Sequence, residues 1–146
     1  MNAVEGDYME SCELMLLKRY NYAKRKDDSV DEERRSWSSL VTVHAWDVYE
    51  YNGTPYIVVT DWYNNEYNDY SAYPGHYRNL TLRVYPIDIS DVDNETKVRG
   101  IITDTKGFKH WVDDVYVCTR DEEAFTDDIR RYVIRAIDAY LADQAK

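Results

Sequence analysis

The segment from residue 61 to residue 77 holds the side chains of this chain that are best suited to contact with a partner. It contains five tyrosines, one tryptophan and three carboxylates, and it contains no lysine or arginine. Tyrosine offers a large contact area, a hydroxyl group and little rotamer entropy to lose, which makes it a good interface residue. A carboxylate beside an aromatic ring can hold an arginine through an ion pair and a cation–π contact. The segment is therefore predicted to bind a cationic partner.

A second candidate is the acidic run from residue 88 to residue 95, which contains four carboxylates. With Asp91 as the first ligand, the spacing matches the start of a calcium-binding EF-hand loop. Thr96 stands at the sixth position, where that loop requires glycine, and Ile102 stands at the twelfth, where it requires glutamate. We therefore expect a solvated turn or part of an acidic patch, and the chain is predicted to hold no metal ion and no cofactor.

The residues predicted to contact a partner come from these two segments. They are Asp61, Tyr63, Glu66, Tyr67, Asp69, Tyr70, Asp88, Asp91, Asp93 and Glu95. A third acidic run, between residues 113 and 128, has seven carboxylates and a single arginine, more acid than a helix start needs. If the three clusters share one face, they imitate a nucleic-acid duplex, which carries one charge per about 1.7 Å of its axis.

The three histidines give only a weak case for catalysis. His44, His76 and His110 lack the spacing of a zinc-binding motif, and the chain has no nucleophile-elbow or glycine-rich phosphate-binding motif. His44 and His110 fall on predicted strands, and they would form an acid–base pair if they met across the sheet near Asp47 or Asp113. A small enzyme that uses this pair is one alternative function. The four tryptophans are expected in the core rather than in a cofactor site.

Length and charge set the class of protein. The 146 residues suit a single domain, residues 1–146, and 44% hydrophobic and 32% charged content is typical of a globular chain. The formal net charge of −10 is spread along the chain and repels phosphate, so direct binding of nucleic acid is not expected. There is no signal-peptide pattern and no membrane-length apolar run, so we expect a cytoplasmic protein, in the host cell if its source is viral.

Hydrophobic periodicity predicts an α+β fold, with a mostly antiparallel five-stranded sheet flanked by an N-terminal and a C-terminal amphipathic helix. The N-terminal helix is predicted from Asp7 to about Lys26 because apolar residues recur there at helical spacing. The C-terminal helix is predicted to begin at Thr126. Between these helices the segment 63–77 is predicted to be a loop. The predicted strands are residues 39–51, 56–62, 80–89, 97–104 and 109–118, with a type I′ turn at Asn52-Gly53.

In size, acidity and single-domain α+β character, the chain resembles the DNA-mimicking anti-restriction and anti-CRISPR proteins with which phages and mobile elements block host nucleases. The resemblance is one of general character and rests on no motif. It implies a non-enzymatic acidic inhibitor that occupies the cationic nucleic-acid-binding groove of a partner protein. A second alternative is an immunity-type inhibitor that plugs the basic active site of a toxin. Competition with duplex DNA or guide RNA, or with the substrate of the toxin, separates these two hypotheses.

Overall fold

A computed structural model describes residues 13–68 and 74–146. The described residues form five strands, two α-helices and one short 3-10 helix. The strands are β1 (Leu14–Asp31), β2 (Ser36–Tyr51), β3 (Thr54–Asn68), β4 (Pro74–Pro86) and β5 (Phe108–Asp113); the helices are α1 (Glu95–Asp104), α2 (Glu122–Gln144) and the 3-10 helix (Ile89–Asp91). The strand order in the sheet follows the chain, and every neighbouring pair is antiparallel. The α+β class and the five-stranded antiparallel sheet are therefore confirmed.

The turn between β2 and β3 has the predicted conformation. Asn52 and Gly53 adopt φ angles of 50° and 88°, the left-handed region that a type I′ hairpin turn requires at both central positions. Such turns match the right-handed twist of the strands that they connect. The two strands pair without interruption from Tyr51 opposite Thr54 to Trp37 opposite Asn68.

The predicted N-terminal helix is wrong for residues 14–26, which belong to β1; residues 7–12 lie outside the described residues. The helical spacing has a different cause here. The pairing of β1 with β2 shifts between Leu16 and Lys18 and again between Arg19 and Asn21. Each shift adds a residue and breaks the two-residue alternation of a strand. Apolar residues of β1 consequently recur at three- and four-residue spacing, although they serve opposite faces of a sheet.

The predicted strand at residues 97–104 is also wrong, because these residues form most of α1. The side chain of Asn94 caps this helix and accepts a hydrogen bond from the backbone N–H of Lys97 at 3.1 Å. Val98 and Ile102, four residues apart, form its buried side. The segment 63–77 is not a loop throughout, since β3 continues to Asn68 and β4 begins at Pro74.

The last strand and the last helix differ from prediction at their boundaries. β5 ends at Asp113, not at residue 118, because Asp114 adopts a left-handed φ of 56° that turns the chain out of the sheet. Asp121, rather than Thr126, caps α2, which therefore begins earlier. α2 is amphipathic, as predicted, and its buried residues are Phe125, Ile129, Tyr132, Val133, Ala136 and Ile137.

The two helices pack on opposite faces of the sheet. We call these the α2 face and the α1 face. The α2 face carries the larger core, in which Val58, Leu82 and Val84 meet Ile129 and Val133 of α2. An ion pair adds to this contact. Arg19 binds buried Asp47 through two nitrogens at 2.7 and 2.9 Å, and it also reaches Glu122 and Thr126 at the start of α2.

The strands extend beyond the helix that covers the α1 face. β1 has 18 residues and spans about 55–60 Å, whereas the ten residues of α1 span about 15 Å. The hydrophobic cluster under α1 reaches Trp46 and Val59 and contains no described residue farther from the β2–β3 turn on those two strands. The distal half of the sheet comprises strand residues 24–31, 36–44, 61–68, 74–81 and 111–113.

Candidate functional site

The α1 face of the distal half carries most of the aromatic side chains that the described residues expose. The register places its side chains in rows across β2, β3, β4 and β5, because cross-strand partners point to the same face. Successive rows are His44, Asp61, Thr81 and Trp111; Thr42, Tyr63, Asn79 and Asp113; Leu40, Asn65 and Tyr77; and Ser38, Tyr67 and Gly75. No lysine or arginine stands at any of these positions.

We call Tyr63, Tyr67, Tyr77 and Trp111, with the carboxylates of Asp61 and Asp113, the aromatic surface. Its four rings have exposed fractions between 36% and 50%, in contrast to Trp62 on the α2 face, which is 2% exposed. The prediction that the tryptophans lie in the core is confirmed for Trp62 and wrong for Trp37 and Trp111. Rings that are held by a sheet and left open on one side are suited to interface contacts.

Contacts within the sheet fix three of these rings. Tyr63 and Tyr77 meet edge to face, with ring centroids 6.0 Å apart and planes inclined by 73°. Tyr67 lies against Gly75, its cross-strand partner, and a Cβ at Gly75 would come within 2.5 Å of Tyr67 Cζ. Only glycine leaves room for the Tyr67 ring in this position. These contacts reduce the rotamer freedom that the tyrosines would lose on binding a partner.

At the edge of the aromatic surface nearest α1, each ring nitrogen of His44 contacts a neighbouring side chain. The indole Nε1 of Trp46 donates a hydrogen bond to His44 Nε2 at 2.7 Å, and His44 Nδ1 contacts Asp61 Oδ1. With Nε2 as the acceptor, Nδ1 carries the proton and donates a hydrogen bond to Asp61 Oδ1. The guanidinium of Arg99 in α1 lies 4.9 Å from the Trp46 ring centroid. His44 therefore has no free lone pair with which to act as a base.

His110 lies on the opposite face of the sheet. Its cross-strand partner is Leu82, whose side chain belongs to the core of the α2 face. The hypothesis of an acid–base pair between His44 and His110 is therefore wrong, because the sheet separates the two rings. Burial lowers the pKa of His110, and the positive charge of Arg135 in α2 lowers that pKa further.

The structure separates the residues that were predicted to contact a partner. Asp61, Tyr63 and Tyr67 lie on the aromatic surface, whereas Glu66 points to the α2 face. There Glu66 lies 3.6 Å from Arg78 and accepts a hydrogen bond from Asn64. Asp69 and Tyr70 lie outside the described residues. The alternation of a strand explains this division, since β3 sends odd and even positions to opposite faces.

The acidic run at residues 88–95 lies at the other end of β4. Asp88 follows Tyr77 by 11 positions, about 35 Å of extended chain, so the two predicted segments do not form one site. Hydrogen bonds from the backbone and hydroxyl of Ser90 lower the pKa of Asp88, which caps the 3-10 helix. Glu95 pairs with Arg99 at 2.9 Å. Asp91 is the last residue of the 3-10 helix, and Asp93 lies two residues beyond it.

Sequence reasoning missed Tyr77, Trp111 and Asp113 as members of the site. Tyr77 stood within the aromatic segment, so composition alone could have included it. Trp111 and Asp113 come from β5, and only the pairing of β5 with β4 brings them beside Thr81 and Asn79. Among the described residues, no group of three histidine, cysteine or acidic side chains is placed to hold a metal ion.

A comparison of the chain with models of known protein families found no match, and comparisons with curated proteins and with solved structures also found none. The class of the protein therefore follows from its own structure, which is an α+β fold with a five-stranded antiparallel sheet. Within residues 13–68 and 74–146, neither helix has the length and apolar character that crossing a membrane demands.

Proposed function

We propose that this chain is an acidic, non-enzymatic binding protein that docks its aromatic surface on a basic surface of a partner protein. The proposal rests on one observation. Four exposed aromatic rings and two carboxylates lie together on the part of the α1 face that α1 does not cover. Tyrosine and tryptophan dominate the energetics of protein interfaces, where a single hot-spot residue contributes about 2 kcal/mol or more.

The net charge of −10 indicates that the partner surface is cationic. Long-range attraction steers an acidic protein toward a cationic surface and accelerates the encounter. The same charge opposes binding of nucleic acid and association with a second copy of this chain. A basic protein surface is therefore the proposed occupant, and the basic grooves of nucleic-acid enzymes are the leading examples.

The consequence of such docking is inhibition by competition. A partner whose arginine and lysine side chains contact this protein cannot use them for phosphate. We therefore keep the counter-defence role of phage and mobile-element inhibitors, in the cytoplasm of the host, as the proposed setting. His44 already holds Asp61, and Arg78 already holds Glu66, so the rings rather than a row of free carboxylates supply most of the contact.

A comparative pull-down tests this proposal. The baits are the wild-type chain, the double variant Tyr63→Ser/Tyr77→Ser, and the matched control Glu123→Gln/Asp127→Asn. The control removes two exposed charges of α2 for which the described residues provide no ion pair. A partner protein should be retained by the wild type and by the control, lost with the tyrosine variant, and released at high salt.

Competition then separates the modes of inhibition. Duplex DNA or guide RNA should displace the purified partner if the occupied surface is a nucleic-acid groove. Displacement by a toxin substrate, without an effect of nucleic acid, would favour the immunity-type inhibitor. Retention of the partner by the tyrosine variant at wild-type level would exclude the aromatic surface as the docking site.

A further inference from the structure

The cation–π contacts of this protein use arginine far more than lysine. Of the six contacts in the described residues, five involve a guanidinium and one involves an ammonium group, that of Lys18 over Tyr20. Two of the guanidinium contacts cover rings near the distal half of the sheet. Arg78 lies 5.1 Å from the Tyr116 ring centroid on the α2 face, and Arg99 lies 4.9 Å from that of Trp46 on the α1 face.

The rings of the aromatic surface differ from these because no described cation lies over them. The nearest arginine of β1, Arg25, stands in the row of Tyr63 but is separated from it by β2, a distance of about 10 Å. Arg25 lies 3.7 Å from Asp27 instead, and Arg83 donates a hydrogen bond to Tyr85. Tyr63, Tyr77 and Trp111 therefore present π faces that no cation of the described residues occupies.

Carboxylates stand on both sides of these rings. Asp61 precedes Tyr63 by two residues on the same face of β3, about 7 Å along the strand. Asp113 pairs with Asn79 of β4, so Tyr77 is its diagonal neighbour on the same face, about 7–8 Å away. A flat group that lies over the ring of Tyr77 or Trp111 thus has the carboxylate of Asp113 within reach of its edge, whereas one oxygen of Asp61 is already held by His44.

We infer that the aromatic surface selects arginine over lysine side chains of its partner, an inference that rests on the proposed docking at this surface. The planar guanidinium stacks on an aromatic ring and donates two parallel hydrogen bonds to a carboxylate at the same time. An ammonium group is a compact and strongly hydrated charge that offers no flat face for stacking. The ligand is accordingly an arginine-rich segment of a protein.

Two peptides of equal charge, nona-arginine and nona-lysine, test the selectivity with the full chain at low salt. Isothermal titration should give about fivefold tighter binding of nona-arginine, which corresponds to ~1 kcal/mol for exposed cation–π contacts. In NMR spectra, the resonances of Tyr63, Tyr77, Asp113 and the Trp111 indole should shift most. The variant Tyr63→Leu/Tyr77→Leu should bind both peptides equally, with the nona-arginine affinity lowered to that of nona-lysine.

The matched control is Tyr116→Leu, which removes an exposed ring that Arg78 already covers, and it should keep the preference for nona-arginine. Asp113→Asn, a mild change at an exposed position, should weaken nona-arginine binding severalfold and guards against a folding defect in the tyrosine variant. Equal affinities for the two peptides, with shifts on the aromatic surface, would overturn the selectivity and leave the docking proposal standing. Shifts confined to the acidic start of α2, or no binding at all, would overturn both.

Discussion

At the scale of single residues, Gly100 within α1 and Gly107 just after it face opposite constraints. Gly100 is inside the helix, where an added Cβ would meet only Asp104 Oδ2 at 3.9 Å. Gly107 adopts a φ of 71°, and a Cβ there would come within 2.6 Å of the ring of the fully buried Tyr85. One position therefore tolerates a side chain and the other does not.

Alanine at these two positions should change the free energy of unfolding in opposite directions. Gly100→Ala should stabilise the protein by about 0.5–1 kcal/mol, because glycine costs conformational entropy in a helix. Gly107→Ala should destabilise it by about 1–3 kcal/mol through the left-handed backbone and the contact with Tyr85. Urea denaturation measures both changes. A shift of both midpoints in the same direction would contradict the packing described around Tyr85.

The lowered pKa of His110 gives a prediction for the pH dependence of stability. The folded state holds His110 neutral because of burial and the nearby charge of Arg135, whereas the unfolded chain takes up the proton below about pH 6.5, the ordinary pKa of histidine. The contribution of His110 is therefore fully present above that pH and is lost as the pH falls. Between pH 7 and pH 5, the wild type should lose more stability than His110→Gln in urea denaturation. Parallel losses in the two proteins would show that His110 titrates alike when folded and unfolded.

The candidate site shows what residue types reveal without a structure. The density of tyrosines and acids in residues 61–77 predicted Asp61, Tyr63 and Tyr67 as site residues because that signal is local. Trp111 and Asp113 lie more than 30 positions from Tyr77 in sequence, and only strand pairing makes them neighbours of the site. A single sequence carries no register, so the β5 side of the site was not predictable from it.

At the scale of elements, the start of α2 provides a direct test of a corrected boundary. Asp121 Oδ1 accepts a hydrogen bond from the backbone N–H of Ala124 at 2.8 Å, and this bond lowers the pKa of Asp121. The residue predicted as the cap, Thr126, lies inside the helix, where its hydroxyl donates to the carbonyl of Glu122. Capping groups satisfy backbone N–H donors that the first turn leaves unpaired.

Removal of the Asp121 carboxylate should therefore destabilise the protein, because the backbone N–H of Ala124 loses the acceptor that caps the helix. Asp127→Ala is the matched control, since it removes an exposed acid of the same helix that has no hydrogen bond or ion pair within residues 13–68 and 74–146. Thermal or urea denaturation of Asp121→Ala and Asp127→Ala gives the comparison. Equal effects would indicate that the charge near the helix start, and not the cap, matters.

The elements divide into those that local signals determine and those that tertiary contacts determine. The Asn52-Gly53 turn and the apolar stripe of α2 were predictable because each is a pattern within a few residues. β1 was not, because its two register shifts give a strand the spacing of a helix. α1 was not, because its ten residues bury only two side chains and its main signal is the cap at Asn94.

At the scale of the whole molecule, the α1 face of the sheet has a covered half and an open half. On β3, Val58 and Val59 are fully buried between the cores of the two faces, whereas Tyr63 and Tyr67 are exposed. The strands themselves continue through both halves with unbroken pairing between β2 and β3. The stability of the distal half consequently depends on backbone hydrogen bonds and on fewer apolar contacts than the half that α1 covers.

Local opening should therefore begin in the distal half. Native-state hydrogen exchange should give the amides of Val58 and Val59 a free energy of opening close to that of global unfolding, because their exposure requires loss of both cores. The amides of Tyr63 and Glu66 should exchange through openings of lower free energy. Saturation with nona-arginine should raise the opening free energies of the distal amides and of Val58 and Val59 alike, since local opening of the distal half and global unfolding both destroy the aromatic surface; a ligand bound elsewhere would leave the distal amides unchanged. Equal opening energies along all of β3 would show that the sheet opens as one unit and that the open half needs no helix for its stability.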